Sequence, residues 1–213
     1  MKLIGMLDSP FVRRVAVSLQ LLGLKFEHQP LSVFSTFEAF AQINPVVKAP
    51  TLICDDGTAL MDSTLILQYA AALAPSRKLL ADDPKILRQQ LQLLGLALAA
   101  CEKSVQLVYE RQLRPQDKQF DAWAQRVTSQ LLAAFEELEQ QLAAAHISLT
   151  SDNIDQANIT IAIAWYFSQQ MLPEVVIASD FPQLVALSAQ AECLPEFQCA
   201  PFGSSACQFT VER

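Results

Sequence analysis

The pattern of apolar and polar positions changes once along this chain, near residue 75. Before that point short apolar runs alternate with amphipathic stretches. Leu3-Ile4-Gly5-Met6-Leu7 reads as a strand. The next segment opens at Pro10 and carries Val12, Val15, Ala16, Leu19 and Leu22 at helical spacing until Gly23 stops it. Residues 26–31 read as a second strand and 36–42 as a short helix. Asn44-Pro45 breaks that helix, because a residue before proline avoids the α region. Residues 51–54 and Ala59–Met61 flank Asp55-Asp56-Gly57-Thr58, and Asp-Gly is a strong hairpin signal. Ser63–Leu73 follows as a helix, with Leu65, Ile66, Tyr69 and Leu73 expected on its buried side.

A polar connection comes next, with Pro75 and Pro84 at its ends, and no strand pattern is found beyond it. Leu87, Leu91, Leu94, Leu98, Cys101, Val105 and Val108 step by four and three, and Phe120, Trp123, Val127, Leu131, Phe135, Leu138 and Leu142 do the same. This spacing predicts two long helices lining a bundle core. Residues 159–167 are apolar on every side apart from Thr160, the mark of a buried helix. Pro182–Glu192 adds another helix, and the tail after Pro195 is assigned no element. The expected division is an α+β domain over residues 1–75, a linker over 76–84 and an all-α domain over 85–213. The order β-α-β-α-β-β-α in the first part is that of a thioredoxin-like domain.

Composition narrows the function classes. The chain has 213 residues, is 52% hydrophobic and only 17% charged, and carries a net charge of −7. Low charge and high apolarity suggest surface buried in an oligomer. The acidic balance argues against a general nucleic-acid binder, which needs a basic face. No run approaches the ~18 consecutive apolar residues of a membrane span, and the apolar stretch at the start is too short for a signal peptide. A cytoplasmic location is the expectation. The cysteines Cys54, Cys101, Cys193, Cys199 and Cys207 are odd in number and none is in C-x-x-C spacing. This fits reduced thiols better than a disulfide framework or a zinc site, so no metal is expected. Cys54 and Cys101 are expected in the core. The two histidines, His28 and His146, are far apart in sequence and neither is assigned a catalytic or ligand role.

The most telling chemistry lies in Ser9-Pro10-Phe11-Val12-Arg13-Arg14-Val15. Pro10 suits the first helical position, since its missing N–H would be unpaired there anyway. Ser9 then falls at the N-cap, with its hydroxyl at the positive end of the helix dipole. Such a hydroxyl either caps the helix or, with the free N–H groups, holds an anion. On this stretch alone capping is the commoner role.

Three motifs in order change that balance. Ser9-Pro10-Phe11 with Arg14-Val15, Asn44-Pro45-Val46-Val47-Lys48-Ala49-Pro50-Thr51-Leu52, and Asp62-Ser63 heading a helix together resemble the cytosolic glutathione transferase superfamily. The first motif is similar to the catalytic-serine segment of its serine-type classes, the plant tau class most closely. The resemblance covers nearly the whole chain and implies a thioredoxin-like domain followed by a helical one. It also implies glutathione as co-substrate, no covalently bound cofactor, a homodimer, and a small electrophile as the second partner. Ser9 is then the catalytic residue, and Lys48, Ala49, Pro50, Asp62 and Ser63 bind glutathione. Pro50 would follow a cis bond that turns the Ala49 backbone toward the tripeptide, which pairs there much as an added strand does. Ser63 would hold the γ-glutamyl carboxylate and Asp62 its ammonium, beside their capping roles. Lys48 is either the ligand of the glycine carboxylate or a solvated loop lysine.

There are departures from the family pattern. Val47 stands where many relatives carry glycine. Residues 32–42 hold no Lys or Arg, where some classes place a second carboxylate anchor. At the head of the buried helix Asp155 and Asn158 replace the usual capping pair. Related glutaredoxins use Cys-Pro-Tyr/Phe-Cys at the first turn; here Ser9 and Val12 occupy both cysteine positions. Ser9 cannot form a mixed disulfide, so the resemblance implies thiolate activation, with the glutathione sulfur as nucleophile. Phe11, Tyr109, Arg111, Trp165 and Tyr166 are candidates to line the second-substrate pocket. Two alternatives stand beside conjugation: another glutathione-dependent reaction (isomerisation, peroxide reduction or dehalogenation), or a non-catalytic scaffold of the stringent-starvation-protein type.

Overall fold

The computed structural model describes residues 1–143, 148–203 and 205–207; His146 lies outside the described residues. Strands β1 (Lys2–Ile4), β2 (Glu27–Gln29), β3 (Thr51–Ile53) and β4 (Ala59–Met61) form one sheet in the order β2-β1-β3-β4. β1 and β2 are parallel; β1–β3 and β3–β4 are antiparallel. Helices α1 (Pro10–Leu21), α2 (Phe37–Ile43) and α3 (Ser63–Leu73) complete the thioredoxin-like domain. Its core is the expected stripe of α1, Val12, Val15, Ala16 and Leu19, with Leu3, Ile4, Leu52, Phe40 and Ile66, all removed from solvent.

Register places the site. Ile4 pairs with Thr51 and Thr51 with Met61. Gly5, Pro50 and Asp62, each one residue beyond a paired position, therefore stand at the same end of three neighbouring strands. The three sequence motifs meet there because a short mixed sheet brings those chain ends side by side.

The second part is helical. α4 (Pro84–Val108) runs into a π-helical turn at Tyr109–Leu113, where the Arg114 N–H bonds the Tyr109 carbonyl at 3.2 Å. α5 (Asp121–Ala143), α6 (Gln156–Met171) and α7 (Pro182–Glu192) follow, then the short α8 (Pro195–Gln198). α4 packs on α5 and α6, and α7 on α5 and α6. Asp83 caps α4, accepting from the Lys85 and Ile86 N–H groups at 2.9 and 3.0 Å. At the head of α6 the Asp155 carboxylate accepts from both the N–H and the side-chain amide of Asn158, at 2.8 and 3.0 Å. The altered pair thus caps one way only, with Asn158 donating. α4 and its π-helical turn, Pro84–Leu113, are long and apolar enough to cross a membrane by length and composition; Leu94, Ala97, Cys101 and Leu107 are buried.

Several expectations are corrected. On α3 only Ile66 of the four named residues is buried; Leu65, Tyr69 and Leu73 are exposed, and Ser63, Ile66, Leu67 and Ala70 face inward. This helix is apolar around most of its girth, so periodicity did not select a face. Packing against α1 did. On α4 Leu91 is exposed for the same reason, and Ala97, Ala100 and Ser104 share the seam with Leu94, Cys101 and Val108. Phe120 and Trp123 are exposed: Phe120 lies ahead of α5 and its carbonyl accepts from the Trp123 and Ala124 N–H groups.

The boundaries also differ. The chain forms two compact units, one of Met1–Leu80 with Ser151–Ile154 and the stretch from Cys193 on, the other of Ala81–Thr150 and Asp155–Glu192. The tail assigned to the helical domain belongs to the first unit because polar groups of that unit bind its backbone. The buried Arg13 guanidinium donates from Nε to the Ala200 carbonyl at 2.8 Å and lies 5.6 Å over the Phe197 ring. Gln20 Nε2 donates to the Glu196 carbonyl at 3.2 Å.

Candidate active site

Pro10 heads α1, and Ser9 is its N-cap in extended backbone, φ −74° and ψ 124°. The Ser9 carbonyl accepts from the Arg13 N–H at 2.9 Å. Among the described residues the Ser9 hydroxyl makes no capping hydrogen bond. An N-cap serine normally spends its oxygen on the N2 or N3 amide; here that oxygen stays available beside the first-turn N–H groups. Asp8 precedes it, half-buried. Burial pushes its carboxyl up from the ordinary value, against hydrogen bonds from the Ser9 and Asp8 backbone that pull it down.

Gly5 turns the end of β1 toward this helix. Its φ is +136°, and a Cβ there would lie 2.6 Å from Val12 Cγ2 and 3.2 Å from Ala49 Cβ. Only glycine fits between α1 and the Pro50 loop. The Ala49–Pro50 bond is cis. Asn44 ahead of it and Thr51 just after it, both buried, organise the loop. Asn44 Nδ2 donates to Thr51 Oγ1 at 2.8 Å, Thr51 Oγ1 donates to the Lys48 carbonyl at 2.7 Å, and Asn44 Oδ1 accepts from the Val46 N–H at 3.0 Å. Lys48 is exposed on this loop and Ala49 half-buried. Val47 has φ +51°, a left-handed conformation costly for a β-branched side chain. This is the physical reason glycine suits that position.

Asp62 (φ +74°) caps α3, its Oδ1 accepting from the Thr64 N–H at 2.9 Å. Ser63 is buried, and its Oγ accepts from Arg14 Nη1 at 3.0 Å; the same nitrogen donates to Thr64 Oγ1 at 3.2 Å. Arg14 is itself 1% exposed. Sequence reasoning quoted Arg14 within its motif and gave it no role. Asn44 and Thr51 lie in the second motif with no role of their own beyond helix breaking and strand formation, and Gly5 is part of an apolar run. A charged residue on the buried side of an otherwise apolar helix was the signal available for Arg14.

His28 is buried on β2. Its Nε2 bonds the Gly5 carbonyl at 2.7 Å, and its Nδ1 accepts from the Cys207 N–H at 2.8 Å. It has a structural task rather than none. Burial lowers its pKa, against a smaller opposing pull from the Gly5 carbonyl. Cys207 is also buried; burial first and Cys199 second push its thiol up to about 12. Cys54 and Cys101 are buried and Cys193 is exposed.

Of the pocket candidates, Phe11 is half-buried in the first turn of α1. In the helical unit the structure places Trp165 in the core. It is 3% exposed and packs edge-on against Phe135 and Phe181, with ring centroids 5.4 and 5.6 Å away. An indole in an interlocking aromatic cluster fills a core. Tyr166 is half-buried, Tyr109 is exposed, and Arg111 pairs with Glu174 at 2.8 Å. Among the described residues no group of three or more His, Cys, Asp or Glu converges as a metal site.

Residues 3–78 match the family model described as Glutathione S-transferase, N-terminal domain. The crystal structure of a glutathione transferase family member from Pseudomonas fluorescens with bound glutathione superposes with a TM-score of 0.78 at 26% identity, covering 99% of each chain. The matched domain, the structural likeness over the whole chain and the relatives support placing the chain in the cytosolic glutathione transferase superfamily. Its relatives in that superfamily are functionally mixed. It is 29% identical over 164 residues to the uncharacterized GST-like protein YibF of Escherichia coli, covering 77% of this chain and 80% of that protein. It is 25% identical over 183 residues to the maleylacetoacetate isomerase of Mus musculus, covering 82% of each.

Proposed function

We propose that the protein is a glutathione transferase that stabilises the glutathione thiolate with Ser9 and directs it at a small electrophilic carbon. The observation that carries this reading is the Ser9 hydroxyl left out of the helix cap, at the head of a helix whose N-terminal N–H groups favour an anion. A free thiol with a pKa of ~8.5 is only a few per cent ionised at neutral pH. Lowering it by two units needs about 2.7 kcal/mol of preferential anion stabilisation. A hydrogen bond to a charged sulfur supplies about 1.5–3 kcal/mol and the helix terminus a further ~0.3–1 kcal/mol. In this reading Asp62 and Ser63 hold the γ-glutamyl end, the Ala49 backbone pairs with the cysteinyl part, and Lys48 meets the glycine carboxylate. Phe11, Tyr109, Arg111 and Tyr166 remain candidates for the acceptor side.

The deciding experiment compares wild type with Ser9→Ala against a panel of electrophiles, with glutathione binding measured in parallel. The variant is expected to raise the pKa of the bound thiol and to lose about 10- to 100-fold in conjugation rate, the size of one hydrogen bond to a charge. Glutathione affinity should change little. A variant that conjugates as fast as wild type sinks the assignment. A second reading keeps the same thiolate but uses it for isomerisation; the isomerase relative spanning 82% of this chain favours its inclusion. Turnover of a cis-alkene diacid with no net consumption of glutathione would select it.

The proposal extends to a cytoplasmic homodimer. Leu65, Tyr69 and Leu73 form an exposed apolar face on α3, with Met61 exposed at the end of β4. A stable interface of standard size buries roughly 1,200–2,000 Å². Sedimentation at micromolar concentration should give twice the 23.5 kDa chain mass; a monomer only would refute it.

A further inference from the structure

We propose that Arg14 is a positioning residue for the carboxylate of the γ-glutamyl group, an inference that rests on the glutathione reading above. Arg14 sits one and a half turns into α1 and is 1% exposed. Its Nη1 reaches across to the N-terminus of α3, donating to Ser63 Oγ at 3.0 Å and Thr64 Oγ1 at 3.2 Å. A guanidinium only donates. A serine oxygen that accepts from it has its own proton left to give, so Ser63 is set as a donor at the first residue of α3. That is the polarity an arriving carboxylate needs. Without the guanidinium the hydroxyl is free to turn and bond local backbone carbonyls, as serines near helix ends do.

Charge adds to orientation. The first-turn N–H groups of α3 carry no intrahelical partner and the positive end of its dipole. A buried guanidinium behind two hydroxyls strengthens the same field where water screens it little. Burying a charge is costly unless hydrogen bonds compensate, and these two hydroxyls provide some of that compensation. The arrangement also couples the two halves of the site. Ser9 begins α1, Ser63 begins α3, and Arg14 is the covalent part of one helix that grips the other. Both hydroxyls are held by the one nitrogen, so lysine would keep the charge but not the fixed planar geometry that sets it between them.

The test uses glutathione and an analogue with γ-aminobutyrate in place of the γ-glutamyl residue, which lacks only that α-carboxylate. Calorimetric Kd values are measured for wild type, Arg14→Met and Arg14→Lys. Arg14→Met should weaken glutathione binding by about 10- to 100-fold, the range for a lost hydrogen bond to a charged group, while the analogue's weaker binding barely changes. In turnover the loss should fall on KM for glutathione more than on kcat. Arg14→Lys should recover part of the affinity. If Arg14→Met does not fold, the cycle is run with Arg14→Lys and Ser63→Ala, whose effects should be strongly non-additive. Equal weakening of both ligands, or additive effects in the cycle, overturns the assignment and leaves the glutathione reading standing. Failure of wild type to bind glutathione overturns both.

Discussion

The two compact units bury polar groups in different ways. In the first unit the buried polar side chains tie together segments far apart in sequence. Arg13 meets Ala200, Arg14 meets Ser63, and His28 joins Gly5 to Cys207. In the helical unit several buried hydroxyls are spent within one turn. Thr160 bonds the Gln156 carbonyl and Ser168 the Ala164 carbonyl. The Ser104–Ser168 bond and the Ser188 bond to the Ala162 carbonyl cross between helices, and most of the core is aliphatic or aromatic. Directional bonds admit one arrangement and fail when a partner moves. Apolar packing depends on volume and tolerates substitution that conserves it. The difference teaches that charged and ring side chains fix distant segments of the first unit by geometry, whereas space filling carries more of the specification of the helical unit.

The comparison breaks hardest at Gly5. Gly5→Val should cost about 2–5 kcal/mol, adding a left-handed backbone penalty of ~1–2 kcal/mol to overpacking of ~1–3 kcal/mol. Denaturant midpoints measure it, and a loss below 1 kcal/mol would mean that α1 and the Pro50 loop yield easily. A matched pair of conservative changes comes next. Arg13→Lys should cost about 1.5–3 kcal/mol, because one ammonium cannot reproduce a guanidinium bound to the tail backbone. Leu138→Met in the helical core should cost less than about 1.5 kcal/mol. Equal costs would dissolve the distinction between the units.

A change of pH should act on the first unit through His28. The neutral His28 ring accepts the Cys207 N–H, and its folded pKa lies below the unfolded value of ~6.5. Above that value the folded and unfolded states carry the same proton count at this ring. As pH falls below it the unfolded chain takes up the proton first, so stability drops until the folded pKa is reached. Melting temperatures should therefore decline on acidification below about pH 6.5, with a shallower decline in His28→Gln. The smallest effect runs the other way. Val47→Gly should stabilise by about 0.5–1 kcal/mol, since relief of the left-handed valine outweighs the entropy glycine adds to the unfolded chain. A lowered melting temperature would show that the Val47 side chain is held by contacts that outweigh its backbone strain.

Legibility in the sequence followed the same divide. The helices and strands of the first unit were readable because α1 has one apolar stripe and the hairpin has an Asp-Gly turn. α3 was misread because leucine, tyrosine and alanine surround it. Trp165 was read as a pocket residue because an aromatic on a buried helix carries no sign of whether it meets ligand or core. The motif residues Ser9, Pro50, Asp62 and Ser63 were legible through their order and spacing, and Arg14 lay among them without an evident task. The tail after Pro195 gave no signal, since what holds it is backbone bonded to Arg13, Gln20 and His28.

By itself the sequence determined the order of the strands and of most helices, the change from a mixed to a helical part, and the motifs that carry the family resemblance. Those properties depend on local chemistry: capping, turn residues and the period of apolar positions. Only the tertiary structure decided which face of α3 is buried, that the Ser9 hydroxyl stays out of the cap, that Arg14 grips Ser63, and that Glu196, Ala200 and Cys207 return to the first unit. Each of these is a contact between distant segments, and a hydrogen bond or packed face exists only when both partners have been brought to it.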